Sequence, residues 1–322
     1  MRRPPAPARL LDAVLDRLVV PGYSRLGPAL RHRWWPADPP AGALAGKRVL
    51  VTGATSGIGE AMVDGFLALG AAVHVLGRNG DKTQALVARL RAEHAGADVE
   101  AEVCDIGDLD AVRTWAAGFT GRVDALHGLV HNAGALPAER SETAQGHETT
   151  LAVHVLGPHL MTSLLADTLV DDASSVVWMS SGGMYGARLR DDDLEFRTGE
   201  YSGVRAYART KRMQVVLAAR WADRLAGRRV RVESTHPGWV DTAGVTSSLP
   251  GFGKAVGPLL RTAAEGADTT VWLVATRPPS TGEHFWHDRA QRPSTLGWER
   301  GQDPAAVTRF LDQVAAATGT PA

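Results

Sequence analysis

Tyr207 and Lys211 stand four residues apart in the run Tyr-Ala-Arg-Thr-Lys, and Ser180-Ser181 precede the tyrosine by about 26 residues. One helical turn places a tyrosine and a lysine on the same face. A phenol beside an ammonium is a proton donor whose conjugate base is stabilised, and a neighbouring hydroxyl can fix the oxygen that receives the proton. Far upstream, Thr52-Gly53-Ala54-Thr55-Ser56-Gly57-Ile58-Gly59 follows the apolar run Val49-Leu50-Val51. A glycine loop between a strand and a helix brings backbone N–H groups and a helix N-terminus against a pyrophosphate. Alone, the Tyr–Lys pair reads as two neighbours on a helix surface, and the glycine loop reads as a tight turn. Together, in this order, they describe a site that holds a nicotinamide dinucleotide and moves a hydride beside a tyrosine acid.

The second strand ends in Gly77-Arg78-Asn79, with no carboxylate at its tip. An acid there would bind the ribose hydroxyls and repel a 2′-phosphate, whereas Arg78 can pair bidentately with that phosphate. NADP(H) is therefore expected rather than NAD(H). Asp81 is expected on the first turn of the next helix. Tyrosine has a reference pKa near 10, so its work as a base near neutral pH needs a lowering of about three units, or about 4 kcal/mol. Lys211 and the oxidised nicotinamide are the expected sources of that positive charge. Ser180 competes with Ser181 for the substrate-facing position, because neighbours on a strand point to opposite faces.

The elements that must position these residues follow from alternating patterns. Apolar runs predict strands at Arg48–Val51, Ala72–Leu76, Val99–Cys104, Leu126–His131, Ser175–Met179, Val230–Ser234 and Glu283–Trp286. Helical periodicity predicts helices at Glu60–Leu69, Lys82–His94, Leu109–Phe119, Gly146–Leu169, Arg205–Leu225, Ala263–Ala275 and Pro304–Ala316. Strand–helix alternation at this spacing implies βαβ units. The expected fold class is α/β, a Rossmann-like doubly wound parallel sheet of about seven strands with helices on both faces, in a single domain spanning 46–322. Residues 1–45 read as an N-terminal extension. In it, Leu10, Leu11, Val14, Leu15 and Leu18 recur at helical spacing before the Pro-rich linker that begins at Trp34-Trp35-Pro36. A helix over 8–20 can pack on its own domain, on a second copy, or peripherally on a membrane surface.

Composition excludes several classes. Lys+Arg and Asp+Glu balance at 35 each over 322 residues, so there is no basic footprint for nucleic acid. A single cysteine, Cys104, excludes an internal disulfide and a cysteine-rich metal site. The eleven histidines show no metal-ligand spacing, and no metal is expected. No run of 18 apolar residues is present, which argues against a membrane span. Asp12, Asp16 and Arg17 interrupt the apolar stretch after Met1-Arg2-Arg3, which argues against a signal peptide and for a cytoplasmic protein.

At this point the residues resemble the short-chain dehydrogenase/reductase family, in its compact single-domain branch. Thr52–Gly59, Asp105, Asn132-Ala133-Gly134, Ser181, Tyr207, Lys211, and Pro237-Gly238 with Thr242 carry the likeness, in order, from about residue 45 to 290. A narrower likeness within the family rests on Ser180–Met184, Lys211–Leu217, His236–Trp239, Pro250-Gly251-Phe252 and Gly266–Thr269. The resemblance implies cofactor contacts from Gly53, Thr55, Ser56, Gly57, Ile58, Gly59, Arg78, Asp105, Ile106, Asn132, Ala133, Gly134, Tyr207, Lys211, Pro237, Gly238, Val240 and Thr242. Asp105 would meet the adenine amino group, and Thr242 with its neighbours would hold the nicotinamide carboxamide. It implies Ser181, Tyr207 and Lys211 as the catalytic set. One position departs: in Val153-His154-Val155-Leu156-Gly157, His154 stands where the family carries a catalytic asparagine that holds a helix kink and a relay water. As both donor and acceptor, His154 is a candidate fourth catalytic residue, with a pH dependence near neutrality.

The reading is an NADP(H)-dependent oxidoreductase that interconverts a carbonyl and an alcohol on a lipophilic small molecule such as a steroid, retinoid, or long-chain aldehyde or ketone. The apolar, glycine-punctuated segment 239–260 would be a lid over the substrate. Asp191-Asp192-Asp193 reads as a solvated turn at the pocket rim. The resemblance also implies a homo-oligomer. The alternative is a non-catalytic NADP(H)-binding sensor or scaffold. A sugar-nucleotide epimerase fits less well, since only a short tail follows the sheet.

Overall fold

Val49, Leu50 and Val51 have no exposed surface, because β1 (Arg48–Thr52) lies inside a sheet covered on both faces. The computed structural model describes residues 6–241, 257–280, 282, 284–295 and 302–322. The other strands are β2 (Ala72–Gly77), β3 (Val99–Val103), β4 (Gly128–His131), β5 (Ser175–Met179), β6 (Arg231–Thr235), β7 (Phe285–His287) and β8 (Ala290–Gln291). Their order is β3-β2-β1-β4-β5-β6-β7-β8. All neighbours are parallel except β7 and β8. The eighth strand, beyond the seven expected, is a two-residue hairpin return too short to leave a period in sequence.

Before β1 come three helices: α1 (Ala6–Arg17), α2 (Val19–Tyr23) and α3 (Leu26–Arg31). The crossovers are α4 (Gly57–Ala68), α5 (Gly80–Glu93), α6 (Leu109–Thr120), α7 (Thr149–Leu151), α8 (Gly157–Leu165), α9 (Gly203–Leu225) and α10 (Ala263–Thr276), with α11 (Pro304–Thr318) last. Two apolar clusters fill the layers. One joins α6, α8, α9 and α11 through Val112, Leu160, Trp221 and Phe310; the other joins α4, α5 and α10 through Met62, Leu90 and Trp272. Asn79 and Asp108 cap α5 and α6, and Thr262 with Glu265 forms a capping box at α10.

The single helix expected over Gly146–Leu169 is interrupted. Between α7 and α8, Ala152–Leu156 is a π-helical segment. The stretch Thr149–Thr168 has the length and, at 1.2, the mean hydropathy of a membrane span, but 72% of that window is buried in the domain. It is the core helix of a layered fold. Gly157 is required there, since a Cβ at that position would lie 2.0 Å from the Ile106 carbonyl oxygen.

The extension packs on the domain by its polar side. Asp12 and Asp16 of α1 turn inward to Arg31 and Arg292, while Leu10, Leu11, Val14 and Leu18 stay exposed. Of the predicted apolar stripe only Leu15 is buried. Buried charge, rather than the leucine stripe, anchors this helix.

Candidate active site

Strand order reverses between β1 and β4, and the C-terminal ends of β1, β4, β5 and β6 meet beside that reversal. A crevice at such a switch point is where α/β sheets bind ligands. Gly53, with φ +62°, turns the chain out of β1, and a Cβ on it would lie 2.6 Å from Ala133 Cα. A Cβ on Gly59 would lie 2.3 Å from the Gly53 carbonyl oxygen and 2.6 Å from Asn132 Nδ2. The loop is thus closed against β4 with no room for side chains. Asn132 locks it, donating from Nδ2 to the carbonyls of Thr52 and Gly53, both at 3.1 Å. The Thr52 hydroxyl oxygen accepts from Asn132 N and Ala133 N at 3.0 and 3.1 Å.

Ser56 is the N-cap of α4, yet its exposed side chain caps no helical N–H. The first helical N–H groups of any helix have no partner within it, so this turn offers donors to an anion. Gly77 brings β2 close to the loop: a Cβ there would lie 2.6 Å from Thr55 Cγ2. Arg78 follows, exposed and free of any ion pair among the described residues. Asp105 is exposed, one oxygen accepting from Gly107 N at 2.9 Å, while the Ile106 side chain is buried in the core cluster. Narrow glycines, an uncapped serine hydroxyl and a free arginine at the second strand tip fit the phosphates of a dinucleotide.

The catalytic candidates converge at the ends of β5 and α9. Ser180 and Ser181 point apart: the buried Ser180 hydroxyl donates to the Lys211 carbonyl at 2.8 Å, and the half-buried Ser181 hydroxyl oxygen accepts from Gly183 N at 3.1 Å on the side of the Tyr207 phenol. Lys211 Nζ lies 5.2 Å from the Tyr207 ring centre and donates to the Met179 carbonyl at 2.7 Å. Burial pushes the Lys211 ammonium down to about 7 from its ordinary 10.5. Burial also raises the Tyr207 phenol above its ordinary 10, with Ser181 opposing. This differs from the expected lowering. In a site this deep, desolvation outweighs the charge of a lysine that is itself close to losing its proton.

His154 sits within the π segment with both ring nitrogens engaged. Nε2 accepts from Ala135 N at 2.9 Å, so Nδ1 carries the proton and donates to the Thr210 hydroxyl at 2.8 Å. Burial, reinforced by the Lys211 charge, holds its pKa well below the ordinary 6.5. The expected titration near neutrality is therefore not found: the ring stays neutral. It stands edge-on to Tyr207, with ring centres 5.5 Å apart, and its carbonyl accepts from Gln214 Nε2 at 2.9 Å.

Comparison with known proteins gives a consistent assignment. A family model described as short chain dehydrogenase matches residues 47–190. Dehydrogenase/reductase SDR family member 12 of Bos taurus is 33% identical over 272 residues, covering 83% of this chain and 84% of that one. The chain belongs to the short-chain dehydrogenase/reductase family. Human retinol dehydrogenase 12 is 32% identical, with 75% of this chain and 78% of that one covered. A short-chain dehydrogenase of Shigella flexneri 2a, solved with NADP, is 25% identical at a TM-score of 0.60, covering 72% and 92%. The family places the chain among oxidoreductases with the Rossmann-type fold described above.

Several residues around this short-chain dehydrogenase/reductase site have no signature in sequence. His236, at the end of β6, accepts on Nδ1 from Gly182 N at 3.0 Å and Gly238 N at 3.3 Å. One imidazole thus ties the loop after Ser181 to the Pro237-Gly238 turn. Tyr23, from the extension, packs its ring 4.3 Å from His236, and a Cβ on Gly182 would lie 2.6 Å from Tyr23 Cε2. Trp239 N donates to the Tyr23 carbonyl at 2.7 Å. Gly238, at φ +84°, leaves room for the Arg261 guanidinium, whose Nε would lie 2.3 Å from a Cβ there. Val240 is buried against Gly266, while Thr242 and positions 242–256 of the expected lid lie outside the described residues. A warning of these contacts could have come only from the histidine preceding Pro237.

Two acidic groupings are internally satisfied. Asp193 caps backbone N–H groups of Arg197 and Thr198, and Asp191 pairs with Arg309. His74, Glu100 and Glu102 cluster on β2 and β3, where Glu102 also accepts from Trp115 and Arg122.

Proposed function

We propose that this protein is an NADP(H)-dependent oxidoreductase that interconverts a carbonyl and an alcohol on a lipophilic small molecule, with Tyr207 as acid and base. The observation that carries the reading is the Tyr207 phenol with Lys211 Nζ 5.2 Å from its ring centre and Ser181 close enough to lower its pKa, beside the glycine cradle. Arg78 and the NADP complex of the Shigella relative support the phosphorylated cofactor. The name retinol dehydrogenase in a 32% identical relative supports a lipophilic substrate.

The bound cofactor would supply or accept the hydride at the substrate carbon. Ser181 orients the substrate oxygen. In reduction Tyr207 gives its O–H proton to that oxygen as the C–O double bond becomes a C–OH single bond. The phenolate left behind regains a proton from the Lys211 side, since an ammonium near 7 is far more acidic than a phenol above 10. Lys211 is then recharged from solvent. His154 holds Ala135 and Thr210 at fixed separation and so sets the distance between the cofactor wall and α9. Asp105, Ile106, Asn132–Gly134, Pro237, Gly238, Val240 and Thr242 are proposed as the remaining cofactor wall. A homo-oligomer in the cytoplasm, with peripheral membrane contact through residues 8–20, completes the proposal.

The test is NADPH oxidation against a panel of lipophilic aldehydes and ketones. Tyr207→Phe is expected to lower turnover about 10²–10⁴-fold while NADPH binding, followed by its fluorescence, stays near wild type. Full turnover in the variant would refute the tyrosine mechanism. NADPH binding without turnover in the wild type would favour the sensor or scaffold reading.

A further inference from the structure

The outer surface of the extension is inverted relative to an ordinary docked helix. Leu10 is 70% exposed, Leu18 53%, Val19 48% and Val20 49%, with Leu11, Val14 and Leu26 between 42% and 45%. Apart from Val103, Leu164 and Val204, these are the large exposed apolar residues of the described structure. They are contiguous in sequence over three short helices. A run this concentrated marks an interaction surface rather than scattered surface leucines.

Charge decides the partner. Both acids of the segment face inward: Asp12 pairs with Arg31 and Arg292 at 2.8 and 2.7 Å, and Asp16 lies 3.4 Å from Arg292. The exposed charges between Leu10 and Arg33 are Arg17, Arg25 and Arg33, none paired with an acid among the described residues. An apolar stripe fringed only by cations fits an anionic lipid surface. A second copy of the same face would bring like charges together.

We infer that the face formed by α1, α2 and α3 docks on an anionic bilayer surface, with Leu10, Val14, Leu18, Val19 and Val20 in the acyl boundary and Arg17 and Arg25 among headgroups. This deepens the peripheral contact proposed above but stands apart from the catalytic reading. The inward side of the same helices abuts Gly182 and Trp239, so docking sets the substrate side of the site close to the lipid.

The experiment is co-sedimentation of the full chain with phosphatidylcholine vesicles, with and without about one-third phosphatidylserine. Binding is expected on the mixed vesicles and is expected to weaken as salt rises. Leu10→Asp with Leu18→Asp is expected to weaken binding by more than about tenfold. Arg17→Glu with Arg25→Glu is expected to remove the preference for phosphatidylserine. Both variants should keep the wild-type melting temperature and the wild-type NADPH turnover of a water-soluble aldehyde without vesicles. Wild-type protein left in the supernatant with both vesicle types would overturn the inference. So would a dimer in light scattering that Leu10→Asp with Leu18→Asp splits, without vesicle binding, since the face would then belong to a second copy. Loss of turnover with vesicle binding intact would strike the catalytic reading alone.

Discussion

Asp288 is the single charge on which the extension and the site turn both depend, and Asp288→Asn isolates it. Its carboxylate is 2% exposed and accepts from Arg31 Nη1 at 2.6 Å and from Arg261 Nη1 and Nη2 at 2.6 and 3.0 Å. Both arginine side chains are buried, at 0% and 1% exposure. An amide keeps the shape but leaves two guanidinium charges facing each other, with only the half-buried Asp12 and Asp16 near Arg31. Breaking a buried pair in this way costs about 3–5 kcal/mol. For 322 residues at about 2.1 cal/mol/K each, that lowers the melting temperature by about 4–7 °C. The pH dependence follows from the carboxyl group itself. Burial alone would raise its pKa, but His287, Arg261 and Arg31 hold it well below the ordinary 3.8. A depressed carboxyl adds stability that is present above the ordinary value and is lost as pH falls through the folded one. The gap between wild type and variant should therefore be full at pH 7 and close on acidification. Thermal melting from pH 7 downward, with NADPH turnover measured alongside, checks this. Turnover should fall as well, because Arg261 donates to the carbonyls of Tyr23 and Pro237 beside the site. A variant melting within about 1 °C of wild type at pH 7 would refute the assignment of stability to this charge.

Arg78→Asp is expected to weaken NADPH binding about ten- to a hundredfold, the worth of a charged hydrogen-bonded pair, and to leave NADH binding undiminished. Equal loss of both in a fluorescence titration would remove Arg78 from the phosphate. For Lys211, carbonyl reduction should fall as pH rises through an inflection near 7, where the buried ammonium loses its proton; a flat profile would contradict the relay. The same group carries a stability cost with its own sign. A lysine depressed from 10.5 to about 7 destabilises the fold below pH 7 by about 5 kcal/mol, and the cost fades as pH rises to 10.5. Lys211→Met should therefore gain most in melting temperature on the acid side.

The sheet, its helices and the grouping of the proposed catalytic residues were legible in the sequence because each rests on a local period. Val49–Val51 with Gly53 and Gly59 announces strand, turn and helix within a dozen residues, and Tyr207 with Lys211 announces one helix face. Boundaries shifted by a residue or two, as at β6 and β7, where neighbouring strands rather than propensity end the pairing. The π segment at Ala152–Leu156 was hidden, since it sits among contacts made by residues far away in the chain: Gln214 donates to the His154 carbonyl, and Gly157 abuts Ile106. The role of His154 was half legible: its place in the motif was plain, but only its partners Ala135 and Thr210 show a neutral spacer.

By itself the sequence determined the family, the order of the βαβ units, the glycine turn after β1 and the pairing of Tyr207 with Lys211 on one helix face, all of which are written in short-range spacing. It could not determine which side of α1 turns inward, because a leucine stripe ordinarily seeks the core. Tertiary structure decided that. Arg31 and Asp288 lie 257 residues apart in the chain and meet at 2.6 Å, and Arg292 reaches Asp12 across 280. Once those charges are sealed from water, leaving any of them unpaired costs more than burying a few leucines would gain. The extension therefore turns its acids to the domain and its apolar side to the outside.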